Sequence, residues 1–415
     1  MSKLSILGGE PVRDIKEKPW PCWPVFGEEE RRNLLSVFES GKWWYGEKVK
    51  KFEEEFALFQ NAKYGISCTS GTSALEIGLL SCGIGPGDEV IVPPYTFIAT
   101  ASSVLKVNAI PVFADIEIQT GNLDPKDVEK KITEKTKGII PVHLAGLPCD
   151  MDALNELAEK YNLKIIEDAC HSWGSKWKGK GTGALGDCGA FSFQMSKNIT
   201  SGEGGILLTD NQDIAEIARS YSNCGRGKEK PWYEHYLLGD NLRMTEFQAA
   251  ILLGQLKRLE SQTTRREENA KYLDENLKDF PGIKIVPRDK RVTRRAYHFY
   301  IFRFIEEEWG IKRELFIKAI SAEGIPVSFG YPFPLYKNPL FQKKGSGPEF
   351  CPISCPYYGK EVDYSEVYCP NAEKLCKQAI WVSHPVLLAE KEDMRDIINA
   401  IEKIYKNKEE LKGET

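Results

Sequence analysis

The sequence predicts an α/β protein: a large unit with a mostly parallel sheet between layers of helices, then a smaller α+β unit. Three observations predict it. From about residue 60 to 210, short continuously apolar runs alternate with helical patterns, as expected of strands buried on both faces. Helical spacing then persists from "TEFQAAILLGQLKRLE" to "REENAKYLDENLKDF", about ten turns, long enough to bridge two units. A chain of 415 residues also has the length for two cores. The units are expected at 1–260 and 261–415.

The strands and helices follow in order. "KYGISCT" leads into the helix-like "SALEIGLLSCGI", "EVIVP" into "ATASSVLKV", and "IPVFADI" into "DPKDVEKKI". "KGIIPVHL" precedes "MDALNELAEKYN", and "LKIIEDA" is followed by the strand-like "GAFSFQ" and "GGILLTD". After Asp210, "DIAEIARSYSN" reads as a helix and "RGKEKPWYEHYLLGDN" as a polar, aromatic loop. Past the long helix, "HFYIFRFIE" reads as a strand, and "RELFIKAISAEGI", "NAEKLCKQAIWVS" and "EKEDMRDIINAIEKIYK" as helices. The Pro-, Gly- and Cys-rich stretch at 330–370 reads as a loop insertion. No internal repeat or low-complexity segment is present.

Composition narrows the function. Hydrophobic residues at 41% and charged residues at 28% describe an ordinary soluble chain. A net charge of −4 gives no reason to expect nucleic acid or an anionic membrane as partner. The N-terminal "MSKLSILGGEPVRDIK" lacks a signal peptide's apolar core, and no run approaches a membrane span; a cytoplasmic location is expected. The eleven cysteines are odd in number and scattered. Only Cys351 and Cys355 lie close together, and no second pair at zinc spacing follows, so reduced structural thiols are expected and no metal site.

Ligands of a parallel sheet gather at the carboxyl ends of its strands, which filters the motifs. "GTGALG", 181–186, has dinucleotide-loop spacing but precedes a strand and offers no helix start to a pyrophosphate; it reads as a Gly-rich hairpin turn. No Walker-type loop occurs. In "CTSGTSALE" a strand ends and Ser70-Gly71-Thr72 opens a helix, which provides an anion site or ordinary capping. In "IIEDACHSW" a strand ends in Glu167 and Asp168; Asp168 either meets a cation or donor, or caps the next turn. His171, just beyond, fits a structural histidine as well as a ligand. In "GAFSFQMSKNITSGEGGILLTD", Ser192 and Lys197 reach the same sheet edge. A loop lysine is usually solvated, but a buried amine there could form an imine with an aldehyde.

A phosphate cradle at 70–72, an acid at 168 and an amine at 197 are the contacts that pyridoxal 5′-phosphate demands. "VPPYTFIAT" adds Tyr95 and Phe97 as candidates to cover its ring. These motifs, with "SGKWWYGEKVKKFEEEFA", "PVHLAGLPCDMDAL", "NLRMTEFQAAILLGQL" and "CPNAEKLC", resemble the DegT/DnrJ/EryC1/StrS sugar aminotransferases over nearly the whole chain. "LGGEPVR…PWPCWP" and "SFQMSK" look most like the branch of glutamine:scyllo-inosose aminotransferases and aminohydroxybenzoate synthases.

The resemblance implies fold type I, with a seven-stranded sheet in the large domain and pyridoxal phosphate as cofactor. It makes Lys197 the Schiff-base lysine and proton shuttle, and pairs Asp168 with the pyridine nitrogen. His171 takes the place of a Gln or His near the ring's 3-hydroxyl, and Phe97 that of the stacking aromatic. Gly71, Thr72 and Ser192 would bind phosphate, and Asn241 would reach the phosphate of the neighbouring subunit, which requires a homodimer with shared sites. The aromatics at 42–45 and the 226–240 loop resemble segments that shape the pocket across that interface.

The implied reaction moves an amino group from glutamine or glutamate to a keto-cyclitol or keto-sugar. A nucleotide-linked keto-sugar is the alternative, with Arg226, Lys228 and Lys230 as candidates for its diphosphate. A dehydratase or lyase on the same fold is another, although dehydratases of the family carry histidine where this chain has Lys197. The chain departs from relatives at "GDN" before Arg-Met-Thr, and at "YPFPLYKNPLF" and "WVSHPVLL", segments that help define the accepted substrate.

Overall fold

The computed structural model describes residues 3–342 and 356–411; Cys351 and Cys355 lie outside the described residues, as does part of the expected 330–370 insertion. Helices α1 (Glu28–Ser40) and α2 (Glu47–Phe59) precede the sheet. Then follow β1 (Tyr64–Cys68), α3 (Gly71–Ser81), β2 (Glu89–Val92), α4 (Ala99–Lys106) and β3 (Ile110–Phe113). The chain continues through α5 (Pro125–Lys131), β4 (Thr136–Ile139), α6 (Met151–Tyr161) and β5 (Lys164–Asp168). Short strands β6 (Lys176–Trp177) and β7 (Lys180–Gly181) lead to β8 (Cys188–Ser192) and β9 (Gly205–Thr209).

Seven of these strands form one sheet in the order β1-β9-β8-β5-β4-β2-β3. From β8 to β3 every pairing is parallel, while β9 runs antiparallel to both β8 and β1. β2, β8 and β9 are buried at every residue, which is why their sequences read as unbroken apolar runs rather than alternations. Because β9 alone is reversed, β1, β2, β5 and β8 all end on the same side. That edge collects the start of α3, the 93–98 loop, Asp168 and the turn after Ser192.

The chain then runs through α7 (Gln212–Ser222) into α8 (Glu246–Leu277), 32 residues or about 48 Å of helix. A capping box of Thr245 and Gln248 fixes its start. Its first half packs Ala249, Leu252 and Leu259 with Phe52 and Phe191; its second half packs Ala270, Leu273 and Leu277 into a separate core with Phe302, Ile397 and Ile401. The helix bridges two cores, as its length predicts.

The second core surrounds β10 (Ile283–Ile285), β12 (Phe299–Phe304), β13 (Val327–Phe329) and β14 (Ala379–Ser383), an antiparallel sheet in the order β10-β12-β14-β13. Strand β11 (Val292–Arg294) pairs instead with β6. Helices α9 (Glu306–Trp309), α10 (Arg313–Ala322), α11 (Pro339–Gln342), α12 (Pro370–Gln378) and α13 (Lys391–Lys406) complete the unit. The helix expected over "NAEKLCKQAIWVS" stops at Gln378, and Ala379 turns extended. Ala-Ile-Trp-Val-Ser becomes the strand held between β12 and β13; pairing on both sides overrides an apolar spacing that suited either state.

Both ends of the chain meet here. Leu4 lies in the second core, the amides of Ser5 and Val12 donate to Glu323 at 2.9 and 3.0 Å, and Arg13 pairs with Asp393 and Asp396 at 2.8 Å each.

"GTGALG" differs in detail from the expected hairpin. The hairpin is β6–β7, and the motif links β7 to β8 in a different sheet. Its amides do cradle an anion, but an internal one: Gly183, Leu185 and Gly186 donate to the buried Glu167 carboxylate at 2.6–2.8 Å, with His143 at 2.8 Å. Among the described residues the nine cysteines are free, no cluster could hold a metal, and no helix is long and apolar enough to cross a membrane.

Candidate active site

A cavity of about 520 Å³ opens at the carboxyl edge of the large sheet, between it and the second unit. Its floor is the start of α3. Ser70 is the N-cap, its Oγ accepting from the Ser73 amide at 3.1 Å, and the first amides of α3 lack carbonyl partners within the helix. Gly71 is required by close approach: a Cβ there would lie 2.8 Å from both Cys170 Sγ and Ser192 Cβ. Gly71, Thr72 and Ser192 together form a small polar concavity at the helix's positive end.

Asp168 ends β5 beside Ala190 of β8. It is 6% exposed, and its two oxygens accept from Thr100 Oγ1 at 2.7 Å and from the Cys170 amide at 3.2 Å. Both sequence readings of this residue therefore hold in part: it caps its own turn and still lines the cavity. Glu167, one residue earlier, points to the opposite face, as strand alternation dictates.

His171 is buried in the cavity wall, its Nδ1 without a hydrogen-bond partner among the described residues, and its ring lies 4.5 Å from that of His298. Phe97 is 60% exposed and overhangs the cavity. Tyr95 is fully buried behind it, packed against Tyr331 at 5.1 Å, and does not line the cavity.

Lys197 sits in the turn between β8 and β9, its Nζ 5.8 Å from the Trp173 ring centroid. Burial lowers its pKa from the usual lysine value, while Cys170 and Asp168 pull the other way. Among the described residues the lysine is thus neither a freely solvated loop charge nor a member of an ion pair.

Seven of the eight residues singled out in the sequence, Gly71, Thr72, Phe97, Asp168, His171, Ser192 and Lys197, share this cavity. Asn241 does not: it is exposed, and its backbone bridges Asn223. Sequence reasoning missed the opposite wall. His298, Phe299, Tyr331 and Trp381 reach the cavity from the second unit, with Phe299 stacked on Trp381 at 4.3 Å and Tyr331 edge-on at 4.9 Å. The available signal was that Tyr331 and Trp381 fall in or beside the two divergent C-terminal segments.

The DegT/DnrJ/EryC1/StrS aminotransferase family matches residues 24–355. A Micromonospora echinospora protein, provisionally named L-glutamine:3-amino-2,3-dideoxy-scyllo-inosose aminotransferase, is 38% identical over 420 residues, 99% of each chain. The L-glutamine:2-deoxy-scyllo-inosose aminotransferase of the same organism is 35% identical over 432 residues and the full length of both. The crystal structure of 3-amino-5-hydroxybenzoic acid synthase superposes with a TM-score of 0.83 at 33% identity, covering 92% of this chain and 99% of that one.

Proposed function

The chain belongs to the DegT/DnrJ/EryC1/StrS aminotransferase family and is a pyridoxal phosphate-dependent aminotransferase, and we propose that it moves the amino group of glutamine to the ketone of a cyclitol. The cavity suits that cofactor. It has a helix start crowded enough to require glycine, a buried carboxylate held by two donors, an unpartnered imidazole nitrogen and a lysine of lowered pKa.

When bound, pyridoxal phosphate supplies an aldehyde carbon that takes up the amino group and a ring that draws off electrons. Lys197 provides the amine for attachment and carries the proton between the carbon losing the amino group and the carbon gaining it. Its lowered pKa keeps a larger share of that amine neutral, the form able to act as nucleophile and base. Asp168, held by Thr100 and the Cys170 amide, would face the ring nitrogen and favour its protonated form. Gly71, Thr72 and Ser192 would hold the phosphate, Phe97 would cover the ring, and His171 would pack beside it. Tyr331, Phe299 and Trp381 offer the acceptor an aromatic wall.

The two full-length relatives named for scyllo-inosose substrates carry the choice of acceptor, and the cavity of this chain accords with it. Apart from Lys197, no lysine or arginine among the described residues of this chain lines the cavity. A neutral polyol ring needs no cation, whereas a nucleotide-linked sugar must neutralise a diphosphate. Arg226 leans on Trp232, its Cζ 5.2 Å from the ring, and with Lys228 and Lys230 it belongs to a loop outside this chain's own cavity; in the homodimer proposed below that loop lies near the neighbouring cavity, so the substrate test decides whether it serves a diphosphate there. With glutamine as donor, ketocyclitols are expected to be aminated and nucleotide keto-sugars left unchanged; the reverse outcome overturns the assignment. Release of water or ammonia without need of an amino donor would mark a dehydratase or lyase instead.

The assembly we propose is a homodimer in the cytoplasm. Phe26 and Leu35 line an apolar groove of about 790 Å³, and Phe38, Trp43 and Trp44 are exposed as well, the first two stacked at 6.1 Å; clustered exposed apolar side chains mark an interaction surface. A second copy of the chain covers this face and brings Asn241 to the neighbouring phosphate. Mixing Asn241→Ala with Lys197→Ala protein under subunit exchange is then expected to restore part of the wild-type rate, because one site per hybrid regains both residues. Absence of any restoration, with exchange verified by mass, argues against shared sites.

A further inference from the structure

Three of the chain's five histidines stand in one buried column behind Lys197. His171 and His298 are 4.5 Å apart between ring centroids; His298 and His384 are 5.5 Å apart and tilted by 25°. Trp23 closes the column edge-on against His384 at 4.5 Å. At its far end Arg266, from the middle of α8, is fully buried.

The hydrogen bonds fix the ring states. His384 Nε2 faces the Ser196 carbonyl at 3.0 Å; a carbonyl only accepts, so Nε2 carries the proton. Nδ1 then holds a lone pair and accepts from Arg266 Nη2 at 3.2 Å. Asn198 donates through Nδ2 to the Ala296 carbonyl at 2.9 Å, which leaves its Oδ1 to accept from His298 Nδ1 at 2.9 Å. Trp23 Nε1 donates to the Met195 carbonyl at 3.0 Å. The residues on both sides of Lys197 are therefore gripped from outside the turn.

We propose that Arg266 and His384 form a positioning clasp that holds the Ser196–Lys197 peptide, and with it the lysine amine, in register with Asp168. Neither residue touches the cavity's reacting region; they act through the backbone. Arg266 has no carboxylate partner among the described residues, and its Nη1 is unpaired. Its partners are the His384 carbonyl at 3.4 Å and the Trp23 ring at 5.8 Å as well as His384 Nδ1; a buried guanidinium without a carboxylate is a cost that packing alone does not explain. Burial foremost, and its charge in addition, disfavour protonation of His384 and His298. A protonated His384 would turn an N–H toward the guanidinium N–H groups and break the clasp.

The proposal rests on Lys197 being the residue that binds the cofactor. The groups facing the clasp and the amine are Arg266 on α8, His298 just before β12, and His171, Cys170 and Asp168 at and beyond the end of β5, and all are left intact in the His384 variants. In the holoenzyme, His384→Leu is expected to lower kcat by ~10- to 100-fold, the scale of small misplacements of reacting groups, with the KM for glutamine unchanged. The midpoint of the pH titration of the cofactor's visible band should move to higher pH, because water admitted beside the amine favours the charged form. His384→Gln, whose amide can donate to Ser196 and accept from Arg266, should recover most of both, and Arg266→Met should resemble His384→Leu. Equal behaviour of the Leu and Gln variants, or a lowered Tm with kcat and titration unmoved, overturns the clasp. Should His384→Leu fail to fold, the Gln and Met variants decide by the same readouts. If Lys197→Ala retains the wild-type band, it is the assignment of Lys197 that fails.

Discussion

Replacing Lys197 by alanine is expected to lower kcat by roughly 10⁴-fold or more, since proton transfer by a positioned side chain alone contributes ~10²–10⁴ and cofactor attachment is lost with it. The visible band of lysine-bound pyridoxal phosphate should vanish, and the cofactor should wash out on dialysis. Stability should not fall in parallel. Lys197 makes no ion pair among the described residues, and burial works against its charge, so removing it relieves a desolvation cost. A variant that is inactive yet melts at or above the wild-type temperature fits this account; one that merely unfolds does not. Survival of the band would show that another amine holds the cofactor.

The second large effect is expected at Asp168. Asp168→Asn keeps the size of the side chain and a bond to Thr100, but it removes the charge that faces the ring nitrogen. Breaking a buried charge pair costs about 3–5 kcal/mol, so kcat should fall roughly 10²- to 10⁴-fold. Cofactor should remain attached through Lys197, and the loss should lie in kcat rather than in KM for glutamine, because the charge matters most as electrons enter the ring. Thr100 Oγ1 and the Cys170 amide hold the carboxylate in place, so rotation of the side chain cannot substitute for its charge. A loss of cofactor in Asp168→Asn, or a rate near wild type, contradicts the role.

The residues behind both predictions are legible in the sequence. Asp168 and Lys197 lie at or just past the ends of β5 and β8, strands announced by the short apolar runs "LKII" and "GAFSF", so the geometry of a parallel sheet suffices to place both at one edge. Gly71, Thr72, Phe97 and Ser192 follow by the same rule. Glu167 shows its limit. In the sequence it is the twin of Asp168, yet alternation along β5 sends it to the other face, where the amides of "GTGALG" bind it. A motif with the spacing of a ligand loop serves an internal carboxylate.

The far wall of the cavity is not legible in this way. Phe299 and Trp381 are neighbours only because β12 pairs with β14 in one register, and nothing in "AYHFYIF" or "AIWVS" records which face of that sheet turns toward Lys197. The Arg266–His384 contact joins residues 118 positions apart and is invisible to any local pattern. Local pattern thus reveals the cofactor's side of the site, while the acceptor's side depends on how the two cores meet across α8.

The most direct measurement is chemical trapping. Reducing the holoenzyme with borohydride, digesting it and mapping the phosphopyridoxyl adduct by mass spectrometry should find it on the peptide "GAFSFQMSKNITSGEGG", at Lys197 alone. An adduct at another lysine, or none in protein loaded with pyridoxal phosphate, would contradict the central claim.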